Sequence, residues 1–157
     1  MVSAVSATIT IGTSAPAIFT VLIDPASHPA IDGTGWVCEP VDRQPLAASG
    51  QIFRMAMYHP NHPNGNYETA NRVEAFNPPI TISWTPGYDE GDGTLGFGGW
   101  IWRYDLARLG PAETEVTLTY DWSAVSEAVL RRQDHWPPFP PDHLDNSLTH
   151  LASLVLS

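Results

Sequence analysis

The sequence contains no lysine. All seven basic residues are arginine, set against 17 acidic ones, for a formal charge of −10 at pH 7. Nucleic acid and anionic membrane surfaces are bound through basic patches, so neither is an expected partner. Cysteine is almost absent too. Cys38 stands alone, which excludes an internal disulfide and a cysteine-based metal site, and its place beside Trp36 and Val37 predicts a half-buried strand residue. No apolar run reaches the roughly 18 residues of a membrane span. The opening MVSAVSATITIG has no basic residue ahead of its apolar part, and its apolar residues alternate. That is the pattern of a strand, not of a signal peptide. A reducing cytoplasm is the expected compartment, with a monomer or homodimer as the expected state. Neither a G-x-S-x-G elbow nor a phosphate-cradling glycine loop occurs.

Aromatic residues, by contrast, are plentiful. Six Trp, five Tyr and five Phe contribute to a hydrophobic content of 43% in 157 residues, enough for the core of one domain spanning residues 1–157. Many fall in one stretch, GGWIWRYDLARLGPAETEVTLTYDW, from Gly98 to Trp122. Trp100, Trp102, Tyr104 and Leu106 alternate with Ile101, Arg103, Asp105 and Ala107. After Gly110-Pro111-Ala112, Val116, Leu118, Tyr120 and Trp122 alternate with Glu115, Thr117, Thr119 and Asp121. Period-two alternation sends neighbouring side chains to opposite faces, so this is a two-stranded hairpin with one large apolar face.

The rest of the chain is organised to cover that face. Ser6 to Gly12 alternates as a first strand. Thr13 or Ser14 is placed to cap a helix with Pro16 in its first turn and Ile18, Phe19 and Leu22 on one stripe. Asp24-Pro25 stops it and caps a very short second helix, expected to end at Pro29. Strands follow over residues 35–39, 51–59, 67–76 and 80–85, the last with Ile80, Ile82 and Trp84 on one face. Between His59 and Asn66 the chain is all turn chemistry. Pro86 to Gly96, with three Gly among Asp89, Glu90 and Asp92 before Gly96 itself, reads as a solvated acidic loop. Ser123 is placed to cap a short helix running to Arg132, and the proline-rich HWPPFPP from His135 to Pro141 is stiff and extended. Asp142 is placed to cap a last helix whose Leu144, Leu148, Leu151 and Val155 form a stripe.

Strands joined by short turns and closed by one striped helix define an α+β class: a curved antiparallel sheet of six to seven strands wrapped around a long C-terminal helix, with two short helices after the first strand. Several segments carry a family resemblance: Ile11 with Ala15-Pro16-Ala17, Phe19, Leu22 and Asp24; Gly50-x-x-Phe53-x-Met55; Gly98-Gly99-Trp100-x-Trp102-x-Tyr104-x-Leu106; and Thr114-x-Val116-Thr117-Leu118-Thr119-Tyr120-Asp121-Trp122. Together they resemble the START-like, or SRPBCC, superfamily of helix-grip proteins, the Bet v 1-like architecture. The tail from Trp136 to Leu148 is similar to a bacterial branch of polyketide cyclase/dehydrase-like proteins. The resemblance implies a cavity between sheet and helix that holds a hydrophobic ligand. It leaves open whether the protein is an enzyme, since only some members are.

By register, Met55, Met57, Trp84, Trp102, Tyr104 and Tyr120 crowd the inner face, with His59 and Tyr67 at strand ends and Asn71 between them. These nine are the candidate ligand-binding residues. Either they fill the core completely or they leave an aromatic pocket with a few orienting polar groups. Three functions follow from the alternatives. The first is binding of a lipid-like, aromatic or polyketide-like molecule. The second is a cyclase, aromatase or dehydratase in which Tyr104, Tyr120 or His59 moves protons. The third is a protein-interaction module. His59 and His62 form an H-x-x-H with no third ligand at a usual spacing, and Asp89, Glu90 and Asp92 lack the pattern of a calcium loop, so no metal or cofactor is expected.

Overall fold

A computed structural model describes residues 2–157. Its centre is a seven-stranded antiparallel sheet built from β1 (Ala4–Ile11), β2 (Val37–Pro40), β3 (Ile52–Tyr58), β4 (Asn66–Asn77), β5 (Thr81–Thr85), β8 (Ile101–Gly110) and β9 (Glu113–Asp121). The strand order is β1-β9-β8-β5-β4-β3-β2. Helices α1 (Ala15–Leu22) and α2 (His28–Asp32), with a 3₁₀ turn at Pro25–Ser27 between them, follow β1; α3 (Glu127–Leu130) and α4 (His143–Leu156) follow β9. The residues of the long hairpin pair as their alternation predicts, with Trp102 opposite Tyr120 and Tyr104 opposite Leu118.

The C-terminal helix, α4, starts directly after Asp142 and carries the leucine stripe. At 14 residues it is about 21 Å long, and it packs mainly on β1, β9, α1 and α2. Leu144, Leu148 and Leu151 are buried against Ile18, Phe19, Leu22, Val116 and Leu118, which forms the core at one end of the concave face. The other end is roofed by the segment between α3 and α4, through Trp136 and Phe139.

Local chemistry accounts for several departures from the sequence reading. The very short helix that Asp24 caps is the 3₁₀ turn Pro25–Ser27, which ends before Pro29; a further helix, α2, then has Pro29 in its first turn, where the missing N–H costs nothing, and ends at Gly33 with φ 70°. The cap of α3 is Ser126, whose hydroxyl accepts from Val129 N at 3.3 Å, and not Ser123. Asp142 holds the N-cap position of α4 without a side-chain capping bond. Cys38 is exposed rather than half-buried. A bulge between Val73 and Phe76 breaks the parity of β4, so that Phe76 packs against the core and meets Phe19 edge-on. Ile80 precedes β5 and is exposed.

The acidic loop is also more ordered than its glycines suggest. It forms a small hairpin, β6 (Gly87–Asp89) and β7 (Leu95–Phe97), against the outer face of β4. Arg72 lies over the Phe97 ring at 4.1 Å, and Arg54 donates to both oxygens of Asp89. The arginine-to-carboxylate pairs of the strands are thus partly spent on holding this flap.

Candidate functional site

The sheet places its largest side chains in rows across the concave face. Trp84 pairs with Trp102, Trp102 with Tyr120, and Tyr120 with Val5. The next row runs Ile82, Tyr104, Leu118 and Ala7. On the far strands Phe53 faces Asn71, Met55 faces Thr69 and Met57 faces Tyr67. Because α4 is too short to cover these rows, a cavity of about 1300 Å³ remains. That exceeds the roughly 300–1,000 Å³ usual for a small-molecule site. Its exposed rim comes from Asn61 and His62 of the β3–β4 loop, Tyr88 of β6, and Gln133, Asp134, His135, Pro140 and Pro141.

All nine residues singled out from the sequence line this cavity. Their surroundings differ. Met55, Tyr104 and Tyr120 are buried, and Trp102 lies 4.6 Å from Tyr120 and 5.6 Å from Phe139, ring to ring. Asn71 donates its amide to the Phe53 carbonyl and the Thr69 hydroxyl, both at 3.2 Å, which leaves its side-chain oxygen for the cavity. His59 packs its ring on Trp36 at 4.9 Å and accepts from Asn61 N through Nδ1. His62, its H-x-x-H partner, instead stacks on Tyr67 at 4.5 Å. Among the described residues, no group of three His, Cys, Asp or Glu side chains is arranged to hold a metal ion.

The tyrosine hydroxyls are held protonated. Burial pushes Tyr104 well up from the usual phenol value, and the Asp32 carboxylate pushes it further; burial raises Tyr120 and Tyr67 likewise. Each can donate a hydrogen bond, but none is a base near neutral pH.

Three further polar residues of the cavity, His28, Asp32 and His143, were not among the ligand-binding candidates read from the sequence. His28 is buried and stacks on Trp84 at 5.0 Å with its ring nearly parallel. Its Nε2–H donates to the Leu22 carbonyl at 2.8 Å, and burial lowers its pKa, so it is a neutral imidazole. Asp32 and His143 meet across the gap between α2 and α4, with His143 Nε2 3.7 Å from Asp32 Oδ1. The other Asp32 oxygen is tied to the Thr34 backbone N–H at 3.1 Å and to the Thr34 hydroxyl. Burial lowers the pKa of His143 more than Asp32 raises it. The contact is therefore a carboxylate facing a neutral ring rather than a charged pair. Trp36, Trp102 and Phe139 surround that ring at 5.0–6.0 Å. One sequence signal was available: His143, Ser147 and His150 fall at i, i+4 and i+7, a second stripe beside the leucines.

No protein-family model matches the chain, and no curated protein matches it. Solved structures do. A protein of Chromobacterium violaceum matches at TM-score 0.68 with 18% identity, over 100% of this chain and 99% of that one. A protein of Mycobacterium smegmatis matches at TM-score 0.67 with 15% identity, covering 98% and 90%. The Zhui aromatase/cyclase of a Streptomyces species matches at TM-score 0.62 with 14% identity, covering 98% and 93%. At such identities the likeness establishes the fold. The chain shares with these proteins an α+β fold in which an antiparallel sheet is packed on a C-terminal helix.

Proposed function

We propose that this helix-grip domain binds a hydrophobic, aromatic small molecule in the cavity between sheet and α4. One observation carries the reading: a space of about 1300 Å³ is walled mainly by large rings and thioethers, with imidazoles, amides and carboxylates set among them. Five of the six tryptophans line it. A ring system that buries about 200 Å² there, the scale of a large aromatic side chain, gains ~5 kcal/mol before the costs of association. Binding therefore needs no ion pair, and orientation falls to the free Asn71 oxygen and the Tyr104 hydroxyl. A surface without a cavity would have favoured the interaction-module alternative, so the void supports the ligand-binding readings over it.

Tryptophan quenching tests the proposal. Titration with naphthylmethanol, a neutral aromatic alcohol, is expected to quench wild type saturably, and Tyr104→Phe and Asn71→Leu each to weaken binding severalfold. Absence of quenching would end the ligand-binding reading; saturable binding unchanged in both variants would keep the pocket and remove these two residues from it.

A second reading, a cyclase-, aromatase- or dehydratase-type enzyme, draws support from the Asp32–His143 contact beside Tyr104 and from the aromatase/cyclase among the neighbours. In it, neutral His143 removes a proton from an activated carbon and Tyr104 donates a hydrogen bond to the resulting enolate oxygen. His143 then takes the place of Tyr104, Tyr120 and His59, the proton carriers that the sequence alone suggests. Turnover of an aromatic or poly-β-keto substrate that disappears in His143→Asn supports this reading; saturable binding without turnover leaves a binding protein.

A further inference from the structure

The charge inventory of the cavity goes beyond its size. No arginine lines it, and the chain has no lysine, so its walls carry no permanent cation. Carboxylates are present: Asp32 in the interior, and Asp134 and Asp145 on the exposed rim. The imidazoles do not compensate in the interior, because His28 and His143 are the two whose buried rings are held neutral. All seven arginines lie elsewhere, and Arg54, Arg72 and Arg103 are already paired with carboxylates on the sheet strands.

This arrangement is hostile to an anionic ligand. A carboxylate or phosphate entering it would lose its hydration and meet a like charge at Asp32, with no cation to receive it. An ammonium meets the opposite situation. Asp32 keeps one oxygen on Thr34 and turns the other toward the cavity side, where the nearest partner is a neutral ring 3.7 Å away. Trp36 and Trp102 stand beside that ring, and electron-rich indole faces attract cations.

We propose that the ligand of this cavity is a hydrophobic amine, its ammonium held at Asp32 among Trp36 and Trp102 and its apolar body lying against Trp84 and Tyr120. The inference rests on the ligand-binding reading above and adds the sign of the ligand's charge. It separates this site from one for fatty acids, acyl phosphates or other anionic lipids.

Three probes of one shape and three charges test it: naphthylmethylamine, naphthylmethanol and naphthoate, each titrated calorimetrically at pH 7.5. Salt at about 0.15 M screens the surface charge of the acidic chain. The amine is expected to bind about tenfold tighter than the alcohol, and the alcohol tighter than naphthoate. Asp32→Asn should bring amine and alcohol within about twofold of each other. Equal affinities for amine and alcohol in wild type, or tighter binding of naphthoate, overturn the charge inference alone. An amine preference that survives Asp32→Asn overturns the assignment to that carboxylate. Binding of none of the three removes the ligand-binding reading as well. The wild-type comparison stands even if the variant folds poorly, and a thermal melt of the variant identifies that case.

Discussion

Replacing Leu148 by alanine tests the packing that leaves the cavity open. Leu148 is 1% exposed, sits in the middle of α4 and belongs to the core cluster, yet it is not part of the cavity wall. Its loss therefore leaves a new void in packed core rather than merging with existing space. Truncation of a buried leucine costs about 2–5 kcal/mol, the spread reflecting how far neighbours relax. Here the neighbours are strands of a seven-stranded sheet and α1, which are held by their own hydrogen bonds, so the upper half of that range is expected. For a domain of this size each kcal/mol moves the melting temperature by about 2–4 °C, so Leu148→Ala should melt roughly 7–20 °C below wild type. Leu156, on the same helix but 58% exposed, provides the control and should change stability by less than about 0.5 kcal/mol when truncated. Scanning calorimetry or chemical denaturation reads both. If Leu148→Ala costs no more than Leu156→Ala, α4 is not gripping the sheet, and the cavity loses its wall.

Other expectations follow from the same geometry. His28 is neutral in the fold, with a pKa below its unfolded value of 6.5. Below pH 6.5 the unfolded chain therefore binds the extra proton, so stability is full above that pH and declines as pH falls toward the folded pKa, by up to ~1.4 kcal/mol per unit. His143, lowered in the same direction but facing the cavity, adds a smaller, screened share. Denaturation at pH 7.5 and 5.5 should show this loss and His28→Met should reduce it; a flat profile contradicts a buried neutral imidazole. Gly33→Ala should cost about 1–2 kcal/mol from its left-handed φ of 70° alone, and more because the His150 ring fills the space a Cβ would take. An unchanged melt for Gly33→Ala would show that the α2–α4 contact beside Asp32 is loose.

What could be read from the sequence was whatever the strand period controls. The hairpin from Trp100 to Trp122 alternates on both sides of its turn, so its inner face could be written down residue by residue, and with it five residues of the cavity wall: Trp100, Trp102, Tyr104, Leu118 and Tyr120. Asn71 and the methionines followed from the same parity. Where the backbone leaves that period, the reading failed. The bulge after Val73 moved Phe76 inward, and glycines 91 and 93, which signal a turn, concealed the short strands on either side of it. The polar end of the cavity was hidden for another reason. Asp32 sits in a helix-ending turn and His143 in a first helical turn, both ordinary places for those residue types, and only tertiary packing of α2 on α4 brings them within 3.7 Å. Sequence spacing carries no trace of that meeting. His28 likewise lies one residue before a proline in a stretch with no periodicity, and nothing local announces a buried ring.

The central claim is that the interior cavity takes an aromatic ligand, and the indole N–H signals of the protein read it directly. Six tryptophans give six such signals, of which five belong to cavity-lining residues and one to Trp122, which is not part of the wall. Titration with naphthylmethanol should shift the Trp84 and Trp102 signals saturably, with one common dissociation constant, and move Trp122 least. Indole signals that stay in place at saturating probe, or shifts that are largest at Trp122 and never saturate, would contradict the account.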